Sequence, residues 1–171
     1  VIVRWSGYQN LAPYGSGGAG LSALAQFSDT TDQTLPANTP TVIGMNRTDY
    51  TVGGITIVAG TQITVANAGV YRFDVSLQLL HTGVGSPNVT FWPRVNGVNV
   101  PDSASSIEMG NNNNRNLPYV SLLLAMTAGQ YLEWVVLSTG ANTSVKHYTA
   151  VPGPPAIPAI PSVIAGVYRL F

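Results

Sequence analysis

Few residues of this chain have the types and spacings that do chemistry. There are two histidines, His81 and His147, and no cysteine. Thiol nucleophiles, disulfide frameworks and Cys-based zinc sites are therefore excluded together, and the redox compartment stays open. No HxH or HExxH spacing surrounds either histidine, so a metal site would need carboxylates gathered from distant segments. The carboxylates are Asp29, Asp32, Asp49, Asp74, Asp102, Glu108 and Glu133. A general acid–base pair needs two of them to converge in a cleft. Asp74 and Glu133 instead fall in mid-strand patterns, and solvated faces or pairing with Arg72, Arg94 or Arg115 account for the set. Asp29 and Asp32 are close enough to share a hard cation but lack the dense Asp/Asn loop that calcium favours. Gly15-Ser16-Gly17-Gly18-Ala19-Gly20 matches G-x-G-x-x-G. The dinucleotide reading requires a strand directly before it and a helix directly after. Pro13 and its neighbours interrupt the approach, and Asn38 and Thr39 stand where a ribose-binding acid would be, so the run reads as a flexible linker. Ser16 lacks the strand–turn–helix of a nucleophile elbow. A Ser-His-Asp triad assembles in space rather than in sequence, and nothing local supports one. The expectation is a non-enzymatic chain with no catalytic residue, no metal ligand and no cofactor.

The most unusual polar segment is Asn111-Asn112-Asn113-Asn114-Arg115-Asn116, which follows Gly110. Four asparagines in a row predict an exposed loop rather than a strand. Such amides can bind sugar hydroxyls or ions, and polar loops are also simply tolerated at sandwich tips. The sequons at Asn46, Asn88 and Asn142 are of the frequency that chance gives in a chain rich in Asn and Thr.

The elements that must position these residues are short strands. The 18 glycines and 12 prolines are spread as punctuation between β-rich runs, the pattern of a sandwich or barrel. Strands are predicted at about 23–28, 40–45, 55–58, 62–66, 70–80, 89–95, 98–100, 104–109, 118–127, 130–138, 143–149 and 162–171. Val95-Asn96-Gly97-Val98 is the strongest turn signal, since Asn-Gly accepts the positive φ angles of a type I′ hairpin. In Val70–Leu80, Tyr71, Phe73, Val75, Leu77 and Leu79 alternate with Arg72, Asp74, Ser76 and Gln78, which marks an antiparallel strand with one wet face. Leu21–Phe27 could make a turn or two of helix, and no longer helical period is present. Val151–Pro161, with its five prolines, is expected to run extended over the surface.

Charge content bounds the function. Asp, Glu, Lys and Arg make up 8% of the chain, and the formal net charge is zero, against about 25% charged residues in ordinary soluble domains. An uncharged, charge-poor surface tends to associate, so much of it is expected to be covered by neighbours. Neutrality argues against nucleic acid and anionic membrane surfaces as partners, and no apolar run reaches the ~20 residues of a membrane helix. Two predicted strands, 118–127 and 162–171, are apolar on both faces and need something to bury each face against, often a subunit and otherwise a β-bulge or covering loop. If it is a subunit, Tyr119, Leu122, Leu124, Val163, Val167, Tyr168 and Phe171 are the candidate contact residues. The organisation expected is an arm and Gly-rich linker over 1–20 and one all-β antiparallel sandwich over 21–171.

The order of motifs from Ile55 onward resembles a known family. Ala68-Gly69-Val70-Tyr71-Arg72-Phe73 resembles the G-x-Y-x-F strand of C1q- and tumour-necrosis-factor-like jelly rolls. The Asn96-Gly97 hairpin follows, and Leu124–Trp134 then matches L-x-A-G-[DQ]-Y-[VL]-E-[LW] through Ala128-Gly129-Gln130-Tyr131-Leu132-Glu133-Trp134. Pro158-Ala159-Ile160-Pro161-Ser162-Val163-Ile164 resembles an element before the last strand in C1q-like structural proteins of marine tailed phages, cyanophages in particular. The likeness spans about residues 28–171. It implies a ten-stranded jelly roll that forms a homotrimer on a virion surface after assembly in the host cytoplasm, as a capsid decoration protein, head fibre or tail-fibre tip. The major capsid protein or another virion protein would be its partner, reached through an arm in which Val1, Ile2, Val3, Arg4, Trp5 and Tyr8 are the docking candidates. Relatives carry longer anchoring segments there, and a short arm favours gripping a shell over building a fibre. The alternative is a receptor- or glycan-binding tip module using the Asn111, Asn112, Asn113, Asn114 and Arg115 loop with Trp92 and Tyr148, host-surface glycan being the ligand.

Overall fold

A computed structural model describes residues 23–171. The described residues form strands joined by turns, with no helix. In chain order the strands are β1 (Leu24–Asp29), β2 (Gln33–Leu35), β3 (Thr41–Val42), β4 (Arg47–Val52), β5 (Ile55–Val58), β6 (Gln62–Val65), β7 (Gly69–Leu77), β8 (Leu79–His81), β9 (Asn88–Val95), β10 (Val98–Asn99), β11 (Ser105–Glu108), β12 (Asn114–Asn116), β13 (Tyr119–Met126), β14 (Tyr131–Ser138), β15 (Thr143–Val145) and β16 (Val163–Arg169). All ladder pairings between them are antiparallel.

Two layers carry the sandwich. One is a five-stranded sheet in the order β13-β7-β16-β1-β4. The other is a seven-stranded sheet with the path β10-β9-β14-β6-β5, to which β11 adds on β9 and β3 on β14. A four-stranded sheet, β12-β8-β15-β2, gathers at one end, where β1, β7 and β14 finish and β13 begins. The alternation predicted for β7 holds: Tyr71, Phe73, Val75 and Leu77 are buried, and Arg72 is exposed. They meet Phe27 of β1, Trp134 of β14, Ile63 of β6 and Phe91 of β9 in one hydrophobic core. The rings of Tyr71 and Phe73 sit 6.1 Å apart, and the Tyr71 hydroxyl donates to the Asn67 carbonyl at 2.8 Å, so the one polar atom of that core side chain is satisfied. The Asn96-Gly97 turn has φ of 49° and 78°, as a type I′ hairpin requires.

Several expectations need correction. The long strand expected at 70–80 breaks at Gln78, whose backbone bonds Ser162 and Lys146 instead of continuing one ladder. Strands β2 and β4 lie where none was expected. Leu21–Phe27 is not helical where it is described, since β1 begins at Leu24. The asparagine segment is only partly a loop. Asn112 and Asn113 take left-handed φ angles, but Asn114–Asn116 form β12 against β8, because that edge supplies backbone partners that outweigh poor strand propensity. The proline-rich segment is a small hairpin, closed by bridges between Tyr148 and Ile160 and between Val151 and Ile157, with all of residues 149–160 exposed.

Phe73 is buried at the middle of β7, an interior strand of its sheet, so Phe73→Ala should cost about 3–5 kcal/mol of stability. A urea titration checks this, and a loss below about 1 kcal/mol would contradict the placement.

Candidate functional site: the outer face of the five-stranded sheet

Residues directly opposite each other on antiparallel strands share a face, so β7 assigns the faces of its neighbours. Leu123 opposes Arg72 and Tyr119 opposes Ser76 on β13; Ile164 opposes Ser76 and Tyr168 opposes Arg72 on β16. Continuing across the sheet, Leu24 of β1 opposes Tyr168, and Val52 of β4 opposes Leu24. The result is an outer face rich in apolar groups. Leu123 is 60% exposed, Tyr119 56% and Tyr50 54%, with Val52 and Ile164 also exposed. Tyr168 lies back over Gly166, where an added Cβ would meet its ring at 3.2 Å. A glycine there therefore lets the tyrosine lie across the sheet and keeps the surface flat. At the ends of this face, Leu170 and Phe171 are exposed, Phe171 at 77%.

The charges on this face are neutralised within it. Arg72 Nε donates to Asp74 at 2.9 Å and to the Ser121 hydroxyl at 3.1 Å, while its Nη2 donates to the Tyr119 hydroxyl at 3.1 Å. Asp74, then Tyr119, hold this guanidinium protonated even more firmly than usual. On β4, Arg47 pairs with Asp49, which also accepts from Gln26. Burial works against the Asp49 carboxylate, but hydrogen bonds from neighbouring side chains, Arg47 and Gln26 among them, outweigh it and hold it below the ordinary aspartate range. A face of apolar groups with its charges already matched can be covered without stranding an unpaired ion.

The predicted contact residues divide between the two faces. Tyr119, Tyr168 and Phe171 lie on or beside the outer face. Val163 and Val167 do not: both are fully buried in the chain's own core. Leu122 and Leu124 also turn inward and pack against that core, since Leu122 opposes Phe73 and Leu124 opposes Tyr71. The outer positions that were missed are Leu123, Ile164, Tyr50 and Val52. The arm candidates Val1, Ile2, Val3, Arg4, Trp5 and Tyr8 lie outside the described residues.

The asparagine loop is largely committed to local structure. Asn111 Oδ1 accepts from the Gly85 amide, and the Asn112 amide donates to the Gly83 carbonyl at 3.0 Å. The Arg115 guanidinium sits 4.6 Å over the Tyr148 ring and occupies the face that a ligand would use. Asn112 and Asn113 remain exposed. His81, which the sequence placed at a strand end, is buried, with Nδ1 3.2 Å from the Thr143 hydroxyl. Asp29 accepts from the Thr31 amide and from the Ser162 hydroxyl, and Asp32 pairs with Lys146. Lys146 first, with the His147 amide assisting, lowers the Asp32 carboxyl against a modest cost of burial. Among the described residues no group of three or more His, Cys, Asp or Glu could hold a metal ion, and no helix is long and apolar enough to cross a membrane.

No family model and no curated protein sequence matches the chain. Solved structures do match in fold. The PRD1 vertex protein P5 superposes with a TM-score of 0.51 at 13% identity, covering 89% of this chain and 99% of that one. Murine APRIL gives 0.52 at 10% identity, covering 86% and 98%. The globular domain of zebrafish complement 1qA gives 0.53 at 8%, covering 87% and 98%. The fold is an all-β, antiparallel jelly roll of the tumour-necrosis-factor and C1q type. At these identities the likeness is one of fold.

The lowered Asp49 carboxyl gives a signed pH dependence. A depressed folded pKa contributes stability that is complete above the unfolded aspartate value of about 3.9 and is lost as pH falls through the folded value. Asp49→Asn should therefore be less stable than wild type near neutral pH, with the gap closing as pH falls below the unfolded aspartate value of about 3.9. Urea midpoints of both proteins across that range check it.

Proposed function

We propose that the chain is a structural module of a virus particle, a capsid decoration or head-fibre protein of a tailed phage. It assembles as a homotrimer through the outer face of its five-stranded sheet. The observation that carries this is that face: a flat apolar surface whose charges are paired internally, on a chain with no net charge. Contiguous exposed apolar patches of this kind mark association surfaces, and three copies would bury theirs against one another. A jelly roll also occurs in a named virion protein, the PRD1 vertex protein P5, which supports a place on a particle. The segment 1–20, with Val1, Ile2, Val3, Arg4, Trp5 and Tyr8, docks on the major capsid protein or another virion protein, and the sandwich faces outward. The chain works by binding rather than by catalysis.

The solution mass after size exclusion tests the assembly. Light scattering should give three times 18.0 kDa. Leu123→Glu places a charge on the outer face without entering the core and should yield a monomer with an unchanged circular dichroism spectrum. Leu122→Glu points inward and should instead unfold the chain. A wild-type monomer at tens of micromolar, or an intact trimer of Leu123→Glu, would overturn the assignment of this face.

A further inference from the structure

A second candidate site lies beside β9 in the other layer. β10 and β11 run in the same direction along one edge of β9, and residues 100–104 bulge out between them to leave an open hollow of about 490 Å³ lined by Trp92, Asn99, Val100, Asp102, Ser103 and Ala104. That volume lies within the roughly 300–1,000 Å³ of small-ligand sites. The wall is held by its own bonds. The Val100 amide donates to the Pro93 carbonyl at 3.1 Å, the Ser103 hydroxyl donates to the Val100 carbonyl at 2.7 Å, and Asp102 sits at a left-handed φ of 55°.

Trp92 is half-buried, and neighbouring Phe91 and Pro93 point into the core. Its indole Nε1 donates to Asn99 Oδ1 at 2.8 Å, and Arg94 Nε donates to the same oxygen at 2.9 Å. The Arg94 guanidinium lies 5.9 Å from the indole centroid. Two donors on one oxygen fix which way the Asn99 amide points. Its NH₂ group then has no hydrogen-bond partner among the described residues, and neither does the exposed Asp102 carboxylate. The cleft thus combines an indole that Arg94 approaches from one side, a pair of oriented N–H donors and an acceptor-only carboxylate.

We propose that this cleft binds a neutral sugar ring of an oligosaccharide. A pyranose has an apolar C–H face, which suits the electron-rich face of an indole. Its adjacent hydroxyls both donate and accept, so one can donate to Asp102 while another accepts from Asn99 Nδ2. Asp102 repels acidic sugars, and Arg94 Nε donates to Asn99 Oδ1. The open, shallow form admits one unit of a chain that continues beyond the site. The other aromatic candidate, Tyr148, has an arginine closer over its ring, Arg115 at 4.6 Å against Arg94 at 5.9 Å from the Trp92 centroid. Trp92 lies on β9, outside the assembly face, while Val100, Asp102, Ser103 and Ala104 of the wall also border Tyr119–Leu124 of β13.

The test uses the full chain on an array of neutral and acidic oligosaccharides, followed by calorimetric titration of the strongest hit. Neutral glycans should bind, and Trp92→Ala should weaken binding roughly tenfold or more. Asp102→Asn, which tolerates the left-handed backbone, should weaken it several-fold with an unchanged circular dichroism spectrum. If Trp92→Ala does not fold, Asp102→Asn and Asn99→Ala decide. Absence of any neutral-glycan binding at high micromolar protein, binding of acidic glycans alone, or wild-type affinity in the folded variants would each overturn the proposal.

Discussion

Between Gly69 and Leu77 the backbone of β7 bonds on both sides, to β13 and to β16, and that double ladder decides which side chains of three strands enter the core. Tyr71, Phe73, Val75 and Leu77 point inward because β7 alternates cleanly. Every residue opposite them must do the same. A slip of one residue would exchange Leu122 for Leu123 and Val167 for Tyr168. It would also drive the Arg72–Asp74 pair toward the interior. The interior of the sandwich, the flatness of its outer face and the matching of charges on that face all depend on this one register.

The strands that alternate were legible in the sequence. The β7 faces, the Asn96-Gly97 hairpin and the limits of β5, β9 and β14 follow from period-two patterning and turn chemistry. The faces of β13 and β16 were not legible in the same way. With Leu at 122, 123 and 124, and apolar residues on both sides of 163–171, local pattern contains no parity signal. Parity comes from pairing with a strand some fifty to ninety residues away. Leu122, Leu124, Val163 and Val167 accordingly face the chain's own core. Strand β12 was obscured for a related reason: asparagine disfavours strands, and only the nearby edge of β8 compensates. Trp92 was visible as an aromatic residue, but its partner Asn99 lies across a hairpin, and the cleft exists only where residues 100–104 bulge between β10 and β11.

The scarcity of charge has a structural counterpart. Arg72 with Asp74, Arg47 with Asp49 and Lys146 with Asp32 form local pairs. Paired surface ions add little to stability, but pairing removes the long-range field that would keep copies apart. What remains for recognition is shape, apolar area and a few unspent polar groups. The two faces of the sandwich divide those resources, one flat and apolar, the other indented and hydrogen-bonding.

Strand β13 closes the five-stranded sheet at one edge: among the described strands it pairs with β7 alone. Over Tyr119–Met126 it has no proline, no charge and no register shift against its neighbour, which are the devices that usually keep strand edges apart. An uncovered copy is thus a template for uncontrolled strand addition. If the proposed trimer shelters that edge, the yield of soluble protein should depend on how fast copies meet as well as on the stability of the fold.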